Sequence, residues 1–304
     1  MSTIGLTIAL LLASPSAAEA PASEALQEAA GQEVIAGEAD GFERMTVPVR
    51  IGGHGTYRFI IDTGSQRTVL STELASRLAL PSLAKRRVMG IAGSEIAETA
   101  TVEELGLGRR SFSDLLVVLF EARHIGADGI VGIDSLQQQR VLMDFAANSM
   151  TVGDARSLGG DAGFEIVVTA RRRSGQLIMT DATVDGVRTA VIIDTGSNMT
   201  IGNRALQRAL SQRRALPQAE LISVTGQRAS ADIGFARRVG IGDVSITDAL
   251  IAYTDAPVFT LLELDRRPAL MLGMRELRLF RRVAIDFSKR KVFFDLPSGF
   301  RPDT

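Results

Sequence analysis

Cysteine is absent from the chain, which excludes disulfides, thiolate nucleophiles and zinc–thiolate sites together. Histidine is scarce: His54 and His124 are the whole complement. Neither accompanies a Gly-x-Ser-x-Gly elbow, so a serine triad has no foundation here, and His54 sits in GGHG, which reads as a hairpin turn. Charge of either sign is not in excess, with 34 Lys and Arg against 35 Asp and Glu. The basic residues are spread along the chain, which argues against a nucleic-acid surface. The longest basic run, Arg171-Arg172-Arg173, reads as a solvated turn.

Long apolar runs are also lacking. IGLTIALLLA at 4–13 is too short to span a bilayer comfortably, and no stable membrane insertion is expected. It precedes SPSAAEA, whose Ala18 and Ala20 form an A-x-A pattern. Residues 1–20 therefore read as a signal peptide, and the protein as exported. Residues 21–32 read as a separate N-terminal segment.

What the chain does have is a repeat. IIDTGS occupies residues 60–65 and again 192–197, and each copy has a threonine three residues past the serine, Thr68 and Thr200. The match extends well beyond the motif. EVIAG (33–37) lies over EIVVT (165–169), and RMTVPVRIGG (44–53) over IMTDATVDG (178–186) with a short gap. LGLGRRSFSDLLVV (105–118) lies over VGIGDVSITDALIA (239–252). GIVGIDSL (129–136) lies over LMLGMREL (270–277), and RVLMDFAANSMTV (140–152) over RVAIDFSKRKVFF (282–294). Two units are expected, 33–152 and 165–304, with the Gly- and Asp-rich 153–164 as linker.

Within each unit the pattern is that of strands. MTVPVRI, TVEELGL and SFSDLLVVLF, then QLIMTDATV, RRVGIG and SITDALIAY, are short, β-branched and separated by glycine-containing turns. Short helices are expected at 71–80 and 203–210, with Ser71 or Thr72 and Asn203 as N-caps. The fold class is mainly β, with one or two short helices per unit.

Each Asp-Thr-Gly-Ser follows a buried apolar strand and presents a carboxylate in a turn. One copy alone reads as an Asx-type turn closing a hairpin. Two copies inside two copies of one fold unit read differently, because units packed about a pseudo-twofold axis bring equivalent loops together. Asp62 and Asp194 would then face each other. Two carboxylates about 3 Å apart share a proton, so one is base and the other acid at the same pH. Such a pair can activate water against an amide carbonyl with neither metal nor covalent intermediate, so no cofactor or metal is expected.

With Asp-Thr-Gly-Ser paired twice with a later apolar-apolar-Gly segment, Ile130-Val131-Gly132 and Met271-Leu272-Gly273, the chain resembles the aspartic peptidase superfamily. The resemblance covers nearly all of 33–296. It implies a bilobal architecture of two fused retropepsin-like β-barrel units, similar to bacterial exported members. It implies an endopeptidase acting on polypeptides, a monomer whose pseudo-dimer is intramolecular. Asp62 and Asp194 would be the catalytic pair, and Thr63 and Thr195 the grip between the loops. Gly64 and Gly196 would permit close approach of loop and substrate. Ser65 and Ser197 would hydrogen-bond the outer carboxylate oxygens. Hairpin flaps would carry Ile91, Ala92 and Gly93 in the first unit and Val224, Thr225 and Gly226 in the second. Pepsins place a tyrosine on their flap, whereas Tyr57 and Tyr253 lie elsewhere. Two alternatives stay open from the residues alone: a catalytically idle peptide-binding module, and a structural β-protein of the cell envelope.

Overall fold

The computed structural model describes residues 34–36, 38–39, 44–108, 110–137, 139–153, 158, 161, 163–210 and 217–297. The signal peptide read at 1–20 and the segment at 21–32 lie outside the described residues, as does most of 153–164.

The protein is mainly β. In the first unit the strands Met45–Ile51, Thr56–Ile61, Gly129–Val131, Val69–Ser71, Arg110–Phe120 and Thr99–Leu107 are hydrogen-bonded in that order. Val49 pairs with Leu107 and closes the sheet into a barrel. The second unit repeats the plan with Gln176–Val184, Val187–Ile193, Ala269–Leu272, Thr200–Gly202, Val244–Tyr253 and Arg228–Ile241. Here Val184 opposite Val239 closes it. Alternation makes these strands: in Met45–Ile51 the buried Val47, Val49 and Ile51 point to the barrel interior between exposed Pro48 and Arg50. Both units feed one apolar core, which includes Val47, Phe59, Leu105, Val191, Ile251 and Phe294.

A six-stranded antiparallel sheet joins the units, in the order Val34–Ala36, Ser149–Gly153, Arg140–Asp144, Arg282–Asp286, Lys291–Asp295, Ile166–Arg173. At its centre Arg140 stands opposite Asp286, and Asp144 opposite Arg282. RVLMD and RVAID thus pair as two copies of one strand do about a twofold axis, here between Leu142 and Ala284.

Three findings depart from the sequence reading. The basic run Arg171–Arg173 ends the strand Ile166–Arg173 rather than forming a turn, which falls instead on Ser174 and Gly175. Each unit carries three short helices among the described residues: Thr72–Arg77, Ala122–Ile125 and Ile133–Leu136, then Arg204–Ala209, Pro257–Leu261 and Met274–Leu277. Helices of four or five residues are too short to show a helical period. Finally, Thr46 pairs with Ile60 while Ile178 pairs with Ile192, so Arg44-Met45-Thr46 corresponds to Gln176-Leu177-Ile178. The repeat alignment is two residues off at this point, because a bulge between Met179 and Ala182 inserts a residue into the second copy.

Candidate active site

Each Asp-Thr-Gly loop hangs from a parallel strand pair. Gly129–Val131 runs parallel to Thr56–Ile61, and Asp62 donates its backbone N–H to Val131 O at 3.0 Å. Ala269–Leu272 runs parallel to Val187–Ile193, and Asp194 N–H donates to Leu272 O at 3.0 Å. The chain then crosses the outgoing arm of its own loop, with Ile133 N–H on Ser65 O (2.9 Å) and Met274 N–H on Ser197 O (2.8 Å). Glycine is required at the crossing. A methyl on Gly132 would lie 2.5 Å from Arg67 O, and one on Gly273 2.5 Å from Met199 O. The repeated threonines pin this crossing: Thr68 Oγ1 accepts from Gly132 N–H at 3.2 Å and Thr200 Oγ1 from Gly273 N–H at 3.0 Å. Thr68 is held in turn by Asp134 and Thr200 by Glu276. Burial raises the Glu276 carboxyl above its ordinary pKa, and the Thr200 hydroxyl partly offsets this.

The two loops meet at the junction of the units. Thr63 Oγ1 donates to Ile193 O at 2.9 Å and Thr195 Oγ1 to Ile61 O at 2.6 Å. Each hydroxyl also accepts from the opposite threonine's backbone: Thr63 N–H to Thr195 Oγ1 is 3.0 Å and Thr195 N–H to Thr63 Oγ1 is 3.3 Å. Both side chains are buried, so these hydrogen bonds fix the loops to each other out of contact with water.

This grip brings the two aspartates together. A methyl on Gly64 would lie 2.6 Å from Asp194 Oδ1 and 3.0 Å from Asp62 Oδ1, and one on Gly196 2.2 Å from Asp62 Oδ2. The glycines of the motif thus make room for the carboxylate of the other loop. Asp62 Oδ1 accepts from Gly64 N–H (2.7 Å) and Ser65 N–H (2.9 Å), and Asp194 Oδ1 from Gly196 N–H (3.1 Å). The serine hydroxyls do not bond the carboxylates, contrary to the expectation from the resemblance. Ser65 Oγ donates to Arg67 O at 2.7 Å and Ser197 Oγ to Met199 O at 2.9 Å. A short hydroxyl two residues before a turn carbonyl closes its own loop first, and the backbone N–H of Ser65 serves the carboxylate instead.

Electrostatically the pair is unequal. Desolvation raises the pKa of both, and they share a hydrogen bond. For Asp62 the rise is opposed by the N–H groups of Gly64 and Ser65 and then by the Arg44 guanidinium. Asp194 is pushed well above the ordinary carboxylate value, by desolvation and then by the neighbouring Asp62 charge. The sequence reading missed one contributor to this asymmetry, which adds to the two backbone N–H groups on Asp62. Arg44, buried, donates to Ile125 O at 2.6 Å and reaches Gly196 O at 3.5 Å. Its counterpart Gln176, also buried, donates to Gly64 O at 2.8 Å. Each braces the opposite loop, but only one of them is charged.

The flap residues lie on two hairpins. Arg86–Gly90 and Gly93–Ala97 form the first, with Ile91 and Ala92 at its tip. Gln218–Ile222 and the start of Arg228–Ile241 form the second, with Val224, Thr225 and Gly226 in its turn. The tips touch: Gln227 Nε2 donates to Ser94 O at 3.2 Å, and Gly90 abuts Ser223. Ile91 packs on an apolar cluster of the second unit that includes Ile178, Ile192, Ile201 and Met271. Val224 packs reciprocally on a cluster of the first that includes Ile60, Val69, Ile125 and Ile130. Gly226 (φ +80°) lies against the His124 imidazole.

Two closed β-barrels, each crossing its own Asp-Thr-Gly loop and meeting at that loop, define a bilobal protein of the aspartic-protease type. The family model described as aspartyl protease matches residues 47–135 and again 180–275, together more than half of the chain, and the chain belongs to that family. The double match agrees with two fused retropepsin-like units.

Proposed function

We propose that the protein is an aspartic endopeptidase, hydrolysing peptide bonds with a water activated between Asp62 and Asp194. The observation that carries this reading is that two carboxyls meet where Thr63 and Thr195 grip the two loops. Asp62, beside Arg44, is the ionised member and takes a proton from the water as it attacks the amide carbonyl. Asp194 holds the shared proton and donates it to the carbonyl oxygen, giving a tetrahedral gem-diol. A proton then passes to the leaving amine as the C–N bond breaks.

Substrate would lie between the dyad and the hairpin tips, with side chains against the two apolar clusters on which Ile91 and Val224 rest. Asn198 Oδ1 and Thr225 Oγ1 are buried without a hydrogen-bond partner among the described residues. Buried polar atoms seek partners, and a peptide backbone supplies both donors and acceptors. Both aspartates come from one chain, so a monomer is a complete enzyme. No helix among the described residues is long and apolar enough to cross a membrane. The exported location read from residues 1–20 belongs to the same proposal.

The test is cleavage of an unfolded protein by the purified chain across pH, with and without pepstatin. Pepstatin-sensitive turnover is expected. Tight peptide binding with no turnover would leave the idle binding module as the better reading.

A further inference from the structure

The second barrel carries a basic pocket. A cavity of about 250 Å³ is lined by Arg171, Arg172, Arg173, Ile178, Thr180 and Arg267. Arg173 is paired with Glu263 and Arg172 with Gln137. The Arg171 and Arg267 guanidinium groups make no ion pair or hydrogen bond among the described residues, and the nearby acids are engaged: Asp265 with Arg266 and Asp181 with Arg188. The loop that carries Arg267 is braced from the core. Buried Asn203 donates through Nδ2 to Leu264 O and to Arg267 O, both at 2.8 Å, and the Arg173–Glu263 pair braces the same loop.

Its floor joins the cleft. Ile178 sits opposite Ile192, two residues before Asp194, and belongs to the apolar cluster on which Ile91 of the first flap rests. An extended chain with one side chain on that cluster has another within reach of the arginines. Among the described residues the first barrel shows no equivalent: in the repeat alignment Arg267 corresponds to Gly126, and Ile178 corresponds to Thr46.

We propose that this pocket is a subsite for an acidic side chain of the polypeptide substrate, aspartate or glutamate, held by Arg171 and Arg267 beside an apolar neighbour. It rests on the endopeptidase reading above. Because it lies on the second barrel, the subsite fixes the direction in which a substrate lies across the dyad.

The test uses the full chain with matched peptides differing only as Glu against Gln. Cleavage is read as kcat/KM, and binding independently as fluorescence anisotropy of the labelled peptides. The Glu peptide is expected to be favoured about tenfold, the scale of one charge-assisted hydrogen bond, with the difference mainly in KM. In the Arg171→Gln/Arg267→Gly double variant that preference should vanish, the ratio of kcat/KM for the two peptides falling to about one. Arg266→Gln, whose side chain is exposed outside the pocket, should keep it. Equal handling of both peptides by the wild-type protein, a preference that survives the double variant, or one lost equally in Arg266→Gln would overturn the subsite. Preferential binding of the Glu peptide, lost in the double variant but without cleavage of either peptide, would uphold the subsite and overturn the endopeptidase reading.

Discussion

Arg44 and Gln176 do the same mechanical work and different electrostatic work. Both hold the opposite Asp-Thr-Gly loop by its glycine carbonyl, but only Arg44 places a cation near the dyad, where it favours the ionised form of Asp62. Replacing Arg44 with Gln keeps a donor and removes the charge. The Asp62 pKa then rises, and the acid limb of the kcat/KM pH profile should move to higher pH, by about 0.5–1 unit. Ser65→Ala should leave that limb in place, since the Ser65 hydroxyl serves Arg67 O and only its backbone N–H reaches Asp62. An unmoved limb in Arg44→Gln would contradict the assigned asymmetry. The aspartates, threonines and glycines of the loops were legible in the sequence because each occurs twice in the same setting. Arg44 and Gln176 were not, because a repeat reveals itself by identity and these two differ. The serine hydroxyls were misassigned because residue type alone does not say whether a side chain or its own backbone N–H makes the contact.

At the scale of elements, the ψ-like crossing is what turns a buried strand into a loop presenting a carboxylate. It depends on glycine where the chain passes its own backbone. Gly273→Ala would press a methyl on Met199 O, a backbone atom that cannot move without dragging the Asp194 loop. A loss of about 3 kcal/mol or more in urea denaturation is expected, with loss of activity. Gly53→Ala, in open space, should stay within about 0.5 kcal/mol of wild type. The strands and the capped helices were readable from alternation and from Ser71 and Asn203, whose side chains accept from Leu74 N–H and Leu206 N–H. The bulge at Met179–Ala182 was not, because one extra residue leaves an apolar-rich strand looking unbroken. It hid the register that pairs Arg44 with Gln176.

Across the whole molecule, the central sheet does within one chain what a dimer interface does between two. Arg140 and Asp286 are both buried there, with Nε and Nη2 at 3.1 and 3.0 Å from Oδ2. Arg140 Nη2 also reaches Asp161 at 2.8 Å, and its guanidinium lies 4.4 Å from the Phe293 ring centre. These contacts help hold the Asp161 carboxyl far below the ordinary range, with Lys289 and Lys291 adding to the effect. Arg140→Met would leave the buried Asp286 carboxyl without its guanidinium partner, costing about 3–5 kcal/mol in urea denaturation. Arg140→Met/Asp286→Leu should recover much of that loss. Full stability of the single variant would show that the pair does not hold the units together.

The central claim is that two aspartates, 132 residues apart (194 − 62), act as one site. The direct measurement is turnover by purified Asp62→Asn and Asp194→Asn, with thermal melting at pH 7 to establish that each is folded. A carboxyl whose pKa is raised on folding binds its proton more tightly in the folded state. Its contribution to stability therefore falls as pH climbs from the ordinary carboxylate value through the raised one. Removing either aspartate, since burial raises both carboxyls, should thus leave the melting temperature at pH 7 no lower than wild type. Turnover is expected to fall by about a thousandfold or more in either variant, since neither carboxyl alone can be both base and acid. Wild-type turnover in either folded variant would contradict the account.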